Sequence, residues 1–217
     1  MLNDKRLAAA VTTAAKNGSL SYRDRGQNLD MIGEGWAISV WKDYAKKELR
    51  KTLAVFVEML GEIPEKCCLE IRKTKEGFYA QEADEEVFSE EMSFLMLCSG
   101  PEECRLTPLS IGGKRLLQIF DGRIAAVTGT VLGIAGAAEN PPLVNEGFDR
   151  VRWVETYWEL AAVAMRPRDD PEESRIAAIW QALEALELVE WPIGHTEEKA
   201  DGQMEMREVV ADENTEE

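Results

Sequence analysis

The sequence is poor in the residues that most catalytic and metal centres use. Its 217 residues include one histidine, His195, and four cysteines: Cys67, Cys68, Cys98 and Cys104. The cysteines form no CxxC pair, and tetrahedral zinc sites need closer ligand pairs than these. A serine or cysteine nucleophile commonly borrows a histidine base, and the one histidine lies at the start of an acidic stretch. We therefore expect no metal, no cofactor, no catalytic residue and reduced thiols.

Nucleotide-binding and membrane signals are lacking as well. Residues 112–115, Gly-Gly-Lys-Arg, have neither the following Ser or Thr nor the earlier glycine of a phosphate-binding loop, so a hairpin turn is the better interpretation. The longest weakly polar run, residues 124–138, is shorter than the roughly 20 residues that a membrane helix needs. The first residues lack the apolar core of a signal peptide. These absences favour a cytoplasmic protein that does not enter a membrane.

Basic residues are in short supply. Lys and Arg total 25 against 41 Asp and Glu, which gives a formal net charge of -16. This balance disfavours a protein whose whole surface follows nucleic-acid phosphates. The acidic excess is concentrated in residues 61–104 and 167–217, whereas residues 1–60 carry a small basic excess. We expect a polarised molecule.

Local patterns in the first half predict two helices and a hairpin. Residues 1–17 are Ala-rich, with Asn3 or Asp4 as the cap and Gly18 as the stop. Residues 19–33 have turn formers and no clear period, so we expect a loop. Apolar residues recur at helical spacing over residues 41–60. Residues 67–80 alternate around a Lys-Glu-Gly turn, which indicates a hairpin.

The second half is predicted to be a meander followed by helices. Residues 84–98 fit either a helix or a strand. Residues 106–130 contain two glycine turns, including Asp-Gly, which indicates an antiparallel meander. Residues 148–165 fit two apolar helical stripes, which predicts a central helix. A second helix is expected over residues 171–192.

The predicted fold class is α+β, with helical N- and C-terminal segments packed on a central antiparallel sheet or meander. Residues 1–192 are expected to form one domain. Residues 193–217 are rich in acids and contain few large apolar groups, so we expect an acidic disordered tail.

The leading functional hypothesis is a non-catalytic regulatory or inhibitory protein that binds a basic protein surface, as nucleic-acid mimics do. A bacterial or phage accessory protein would fit this description. Six acids crowd into residues 82–91 with no positive charge among them. Tryptophans at the edges of the predicted elements are further interface candidates. The candidate partner-binding residues are Glu82, Asp84, Glu85, Glu86, Glu90, Glu91, Trp36 and Trp191.

Three alternatives stay open. The first is a nucleic-acid-associated protein that uses a basic segment over residues 23–51. Its candidate residues are Arg23, Arg25, Lys42, Lys46, Lys47, Arg50 and Lys51. The second is an enzyme whose carboxylates act in a cleft, since paired acids are numerous. The third is assembly with further copies of the same chain.

Overall fold

The structure, a computed structural model, describes residues 1–97, 99–165, 179, 181–186 and 188. This part of the chain has an α+β fold with a central antiparallel sheet, which confirms the predicted fold class. Its helices are α1 (Asp4–Asn17), α2 (Lys42–Glu48), α3 (Arg50–Leu60), α4 (Glu85–Met96) and α5 (Gly129–Ala135). Its strands are β1 (Leu20–Asp24), β2 (Asn28–Gly33), β3 (Trp36–Trp41), β4 (Cys68–Lys73), β5 (Phe78–Glu82), β6 (Glu102–Ile111), β7 (Lys114–Ile119), β8 (Ile124–Thr128), β9 (Leu143–Val144), β10 (Arg150–Val154) and β11 (Trp158–Val163).

All eleven strands belong to one sheet, in the order β5-β4-β1-β2-β3-β11-β10-β9-β6-β7-β8. Five strands from the first 82 residues lie on one side, and six later strands lie on the other. The only junction between these two groups in the described chain is the antiparallel pairing of β3 with β11. Its register places Ser39 opposite Glu159 and Ile38 opposite Leu160. This junction therefore fixes the register between the two groups of strands.

Helix α1 forms for the local reasons visible in the sequence. The Asn3 side chain accepts a hydrogen bond from the Arg6 backbone N–H at 3.1 Å, which caps the first turn. Gly18 ends the helix with a φ of 73°, a conformation that favours glycine. Leu7 and Val11, four residues apart, are fully buried against the sheet. The predicted first helix is confirmed.

The helices cover the two faces of the sheet unequally. Helices α1, α3 and α5 contribute to the large core on one face. Helix α4 lies on the other face, where it contacts β3 and β11 over a smaller core. This smaller core consists of Ile32, Ala37, Cys68, Phe88, Met92 and Leu95. No helix in the described chain is long and apolar enough to cross a bilayer.

The expectation of a loop over residues 19–33 was wrong. These residues form the antiparallel strands β1 and β2, joined by a short turn. The register places Arg23 opposite Asp30, and the two side chains form an ion pair at 2.9 Å. The two opposite charges therefore neutralise each other across the strand pair, which is a recognised source of sheet stability.

The expectation of a central helix over residues 148–165 was also wrong. The segment forms the hairpin of β10 and β11. Leu160, Ala161 and Ala162 are all fully buried, so consecutive side chains on both faces of β11 are covered. A strand buried on both faces loses the polar alternation that normally distinguishes it from a helix.

The other element predictions are largely confirmed. The hairpin over residues 67–80 corresponds to β4 and β5, and the meander corresponds to β6, β7 and β8. The helix over residues 41–60 is divided at Leu49 into α2 and α3. Residues 84–98, which fit either structure, contain α4. The helix expected over residues 171–192 lies mostly outside the described residues, and the tail lies wholly outside them.

The junction strand yields a stability prediction. Trp158 is 4% exposed, lies opposite Val40 and belongs to the large core. Because Trp158→Ala removes a large side chain from this core, we expect a loss of about 3–5 kcal/mol of unfolding free energy. Val163→Ala, at the exposed end of the same strand, serves as the control and should cost less than about 1 kcal/mol. Urea denaturation checks both values, and an unchanged midpoint for Trp158→Ala would contradict this placement.

Candidate functional site

Helix α4 presents the acidic cluster that the sequence singled out. Asp84 caps the helix because its Oδ1 accepts hydrogen bonds from the backbone N–H groups of Glu86 and Val87, at 2.8 and 3.3 Å. Glu85 and Glu86 lie in the first turn, where negative charge favours the helix dipole. Three acids of the cluster, Asp84, Glu85 and Glu86, therefore have a structural role, because they stabilise the start of the helix.

Two arginines of the sheet hold α4 in place. Arg23 of β1 donates from Nη1 to Ser89 Oγ at 2.6 Å, and its guanidinium lies 4.4 Å from the centre of the Phe88 ring. Arg150 of β10 donates to the Phe94 carbonyl oxygen at 2.7 Å. The Arg150 guanidinium also lies 3.8 Å from the centre of the Phe94 ring. A cation at the last carbonyls of a helix satisfies groups that have no partner within the helix, so α4 is fixed at its middle and at its C-terminal end.

The exposed surface of α4 combines acids with large apolar side chains. Val87, Phe94 and Leu97 are 60%, 58% and 58% exposed. Four exposed glutamates share this surface, and none forms an ion pair with any described residue. We define the α4 outer face as Glu85, Glu86, Val87, Glu90, Glu91, Phe94 and Leu97. The exposed Glu82 and Asp84 precede it along the chain.

The structure removes one tryptophan from the candidate surface. Trp36 is 5% exposed and packs in the large core. Its ring lies so close to Gly33 on the neighbouring strand that a Cβ there would approach the Trp36 ring to 2.4 Å. An indole held in this way is unavailable to a partner. Trp191 lies outside the described residues.

Three of the seven basic candidates are engaged in ion pairs with buried carboxylates. Asp30 on β2 has no exposed surface, and both Arg23 and Arg25 pair with it, at 2.9 and 2.7 Å. The Ser39 hydroxyl donates to the same carboxylate at 2.8 Å. Lys42 Nζ donates to Asp24 Oδ2 at 2.6 Å. Charges that are paired with buried acids are less available to phosphates.

The Asp24 carboxylate is held in its charged form. Burial alone would raise its pKa. The hydrogen bond from Lys42 and the backbone N–H groups of Gly26 and Lys66 outweigh burial and lower the pKa of Asp24 below its ordinary value. Lys42 therefore stabilises the charged form of Asp24, which burial alone would disfavour.

The remaining four basic candidates are exposed on α2 and α3. Lys46 pairs with Asp43 at 3.3 Å, but both side chains are largely in solvent. Exposed pairs of this kind contribute little. The residues that stay accessible to an anionic partner are Lys46, Lys47, Arg50 and Lys51.

Sequence analysis missed a polar group on the sheet beneath α4. Ser39 and Glu159 face each other across the β3–β11 junction, and Arg152 forms an ion pair with Glu159. For the Arg23–Asp30 pair of the same sheet, one signal was present in the sequence. The two residues lie symmetrically around Gly26-Gln27, as hairpin partners do. Within the described ranges, no group of three or more His, Cys, Asp or Glu side chains is arranged to hold a metal ion.

Comparison with known proteins gives no functional assignment. No protein-family model matches the chain, and no curated protein matches it. Among solved structures, it is similar to the DNA polymerase sliding clamp from Bacillus subtilis, with 10% identity, coverage of 80% of this chain and 66% of that chain, and a TM-score of 0.33. The DNA polymerase sliding clamp from Pseudomonas aeruginosa is 11% identical, with coverage of 80% of this chain and 63% of that chain and a TM-score of 0.31. The chain thus matches just under two thirds of these proteins' length, and at such scores the likeness carries no argument about function.

The Asp24–Lys42 pair yields a prediction about pH. A carboxyl whose pKa is lowered by folding stabilises the protein above its ordinary pKa, near 3.8 for aspartate, and loses that contribution as pH falls through the lower, folded value. Lys42→Met should destabilise the protein at neutral pH by about 1–3 kcal/mol, because a buried carboxylate loses a charged partner. The acid-unfolding midpoint should also move to higher pH. Urea titrations at several pH values measure both effects.

Lys46→Met is the matched control for that experiment, since it removes an exposed lysine from an exposed pair. It should leave both the neutral-pH stability and the acid midpoint nearly unchanged. Equal effects of the two substitutions would show that net charge, and not the buried pair, governs the acid response.

Proposed function

We propose that this protein binds a basic protein surface through the α4 outer face and acts by occupying that surface, without catalysis. The observation that carries the proposal is the composition of the exposed face. Glu90 and Glu91 lie in the middle of the helix, beyond the first turn, where the helix dipole no longer accounts for acids. Val87, Phe94 and Leu97 are exposed beside them. Mixed acidic and apolar character fits a partner with basic and apolar side chains.

Electrostatics and packing contribute differently to such a complex. The exposed aromatic ring of Phe94 and the apolar Val87 and Leu97 supply area that is buried on binding. The glutamates attract a basic partner over distances up to the screening length, about 8 Å at physiological ionic strength. Charge of this kind acts mainly on the association rate. Regulation or inhibition of the partner would follow from coverage of its basic surface.

Rigidity of α4 also favours recognition. The Arg23 contact to Ser89 and the Arg150 contacts to Phe94 and Leu97 fix the helix on the sheet before any partner binds. Because the helix is held in advance, little conformational entropy is lost on association.

A cytoplasmic location is part of the proposal. Cys67 and Cys68 are free thiols, as expected in a reducing compartment. Burial raises the pKa of the Cys67 and Cys68 thiols, which keeps them protonated and poorly reactive at neutral pH.

Nucleic-acid binding is the second candidate, because Lys46, Lys47, Arg50 and Lys51 are exposed within six residues. Titration with labelled DNA at low and moderate salt separates it from the first. Strong, salt-dependent DNA binding that is lost in a variant with these four side chains neutralised would favour this candidate.

Replacement of four α4 glutamates tests the leading proposal. The variant carries Glu85→Gln, Glu86→Gln, Glu90→Gln and Glu91→Gln. It should fold with similar stability, because mid-helix repulsion is relieved while some helix-dipole stabilisation is lost. A labelled amphipathic peptide with lysines and leucines on one face serves as the probe. The variant should bind it about tenfold more slowly than wild type and with a weaker salt dependence.

A charge-matched variant controls for net charge. Glu58, Glu62, Glu76 and Glu103 are exposed and lie outside α4, so their replacement by Gln changes the total charge equally. This control should associate at a rate close to that of wild type. If both variants slow association equally, or if neither does, the α4 outer face is not the recognition surface.

A further inference from the structure

A polar cleft of about 570 Å³ lies between α4 and the sheet strands β1, β2, β3, β10 and β11. Its volume falls within the range of small-molecule sites, which are commonly about 300–1,000 Å³. The residues that line it come from five separate parts of the sequence. They are Arg23, Arg25, Asn28, Ser39, Ser89, Met92, Ser93, Met96, Arg152 and Glu159.

The charges in and beneath this cleft do not cancel. One buried carboxylate, Asp30, is shared by Arg23 and Arg25. Arg152 forms an ion pair with Glu159, and these two charges cancel. Three guanidinium groups thus face two carboxylates, and one positive charge remains. This excess of one positive charge at the cleft favours an anionic occupant.

Two of the guanidinium groups keep donors available. Arg25 uses Nε and Nη2 toward Asp30, and Arg152 uses Nε toward Glu159. The Nη1 group of Arg25 and both Nη groups of Arg152 donate to no described residue. Arg25 is half exposed and Arg152 is partly exposed. Arginine donors pair well with the oxygens of carboxylates and phosphates.

The rest of the cleft supplies order and an apolar wall. Arg23 is fixed by Asp30 and by Ser89, so the floor of the cleft is already arranged. Met92 and Met96 of α4 form one wall. Methionine side chains adapt readily to apolar or aromatic groups.

We propose that this cleft binds a small organic anion, whose carboxylate or phosphate pairs with Arg25 and Arg152 and whose apolar part packs on Met92 and Met96. The proposal is independent of the basic partner, because these residues lie beneath α4 and outside its outer face. The ligand is recognised by charge-assisted hydrogen bonds at one end and by apolar contact at the other.

Four probes separate the parts of this recognition: phenyl phosphate, benzoate, inorganic phosphate and benzyl alcohol. Isothermal titration calorimetry on the full chain measures their affinities. We expect phenyl phosphate or benzoate to bind most tightly, inorganic phosphate about tenfold more weakly and benzyl alcohol not measurably, since the charged end provides the stronger contacts. The stronger of the two aromatic anions identifies the preferred charged group. At about 20 mM ligand, a site with contacts of this strength would be nearly saturated. Failure of both aromatic anions to bind at that concentration would overturn the proposal.

Three variants and a control locate the site. Arg25→Met and Arg152→Met should each weaken binding of the preferred probe about tenfold, because each removes charged donors. Ser93→Glu places a carboxylate at an exposed helix position that lines the cleft, so it should abolish binding while the protein stays folded. Lys75→Met, at an exposed position outside the cleft, should bind as wild type does. If Ser93→Glu and the arginine variants fold and keep wild-type affinity, the anion binds elsewhere and the proposal is wrong.

Discussion

The antiparallel pairing of β3 with β11 is the constraint on which the rest of this structure depends. It joins strands from the first 82 residues to those that follow residue 101, and in the described chain no other strand pair connects the two groups. On one face of the junction, Trp158 and Leu160 complete the large core. On the other face, the junction brings Ser39 beside Glu159 and gives α4 its contact with both strands. Loss of this pairing would therefore disrupt the large core, the position of α4 and the cleft together.

Buried charge is the second organising feature, and it depends on the first. Asp30 lies in the middle of the sheet with no exposed surface, and it is satisfied by Arg23, Arg25 and Ser39. Ser39 belongs to β3, so the network closes only when β1, β2 and β3 are paired in register. Such a network contributes little net stability, because the desolvation of its charges offsets their attraction. Its effect is positional: Arg23 also contacts Ser89 and thereby fixes α4 over the sheet.

Features that depend on neighbouring residues could be predicted from the sequence, and features that depend on distant ones could not. Helix α1 has its own cap in Asn3 and its own stop in Gly18, and the Asp-Gly turn marks the β7–β8 hairpin. The strands at residues 20–33 were missed because β2 is buried on both faces and therefore lacks the alternation that marks a strand. Strand β11 was missed because a strand covered on both faces carries the same apolar pattern as a buried helix. The exposed acids of α4 were anticipated, whereas Phe94 beside them could be placed only once α4 was known to be a helix held by Arg150. The cleft combines side chains more than 100 residues apart, such as Arg25 and Arg152, and no local pattern indicates it.

Amide hydrogen exchange across the β3–β11 junction tests this account most directly. The backbone amides of β3 and β11 that bond across the junction should exchange only through global unfolding, with protection equal to that of the slowest amides in β1 and β2. Protection should fall together in both strands when urea is added, because the amides of each strand at this junction bond to the other strand. Rapid exchange in β11 while β1 and β2 stay protected would show that the two groups of strands open independently, and it would contradict the dependence of the whole sheet on their pairing.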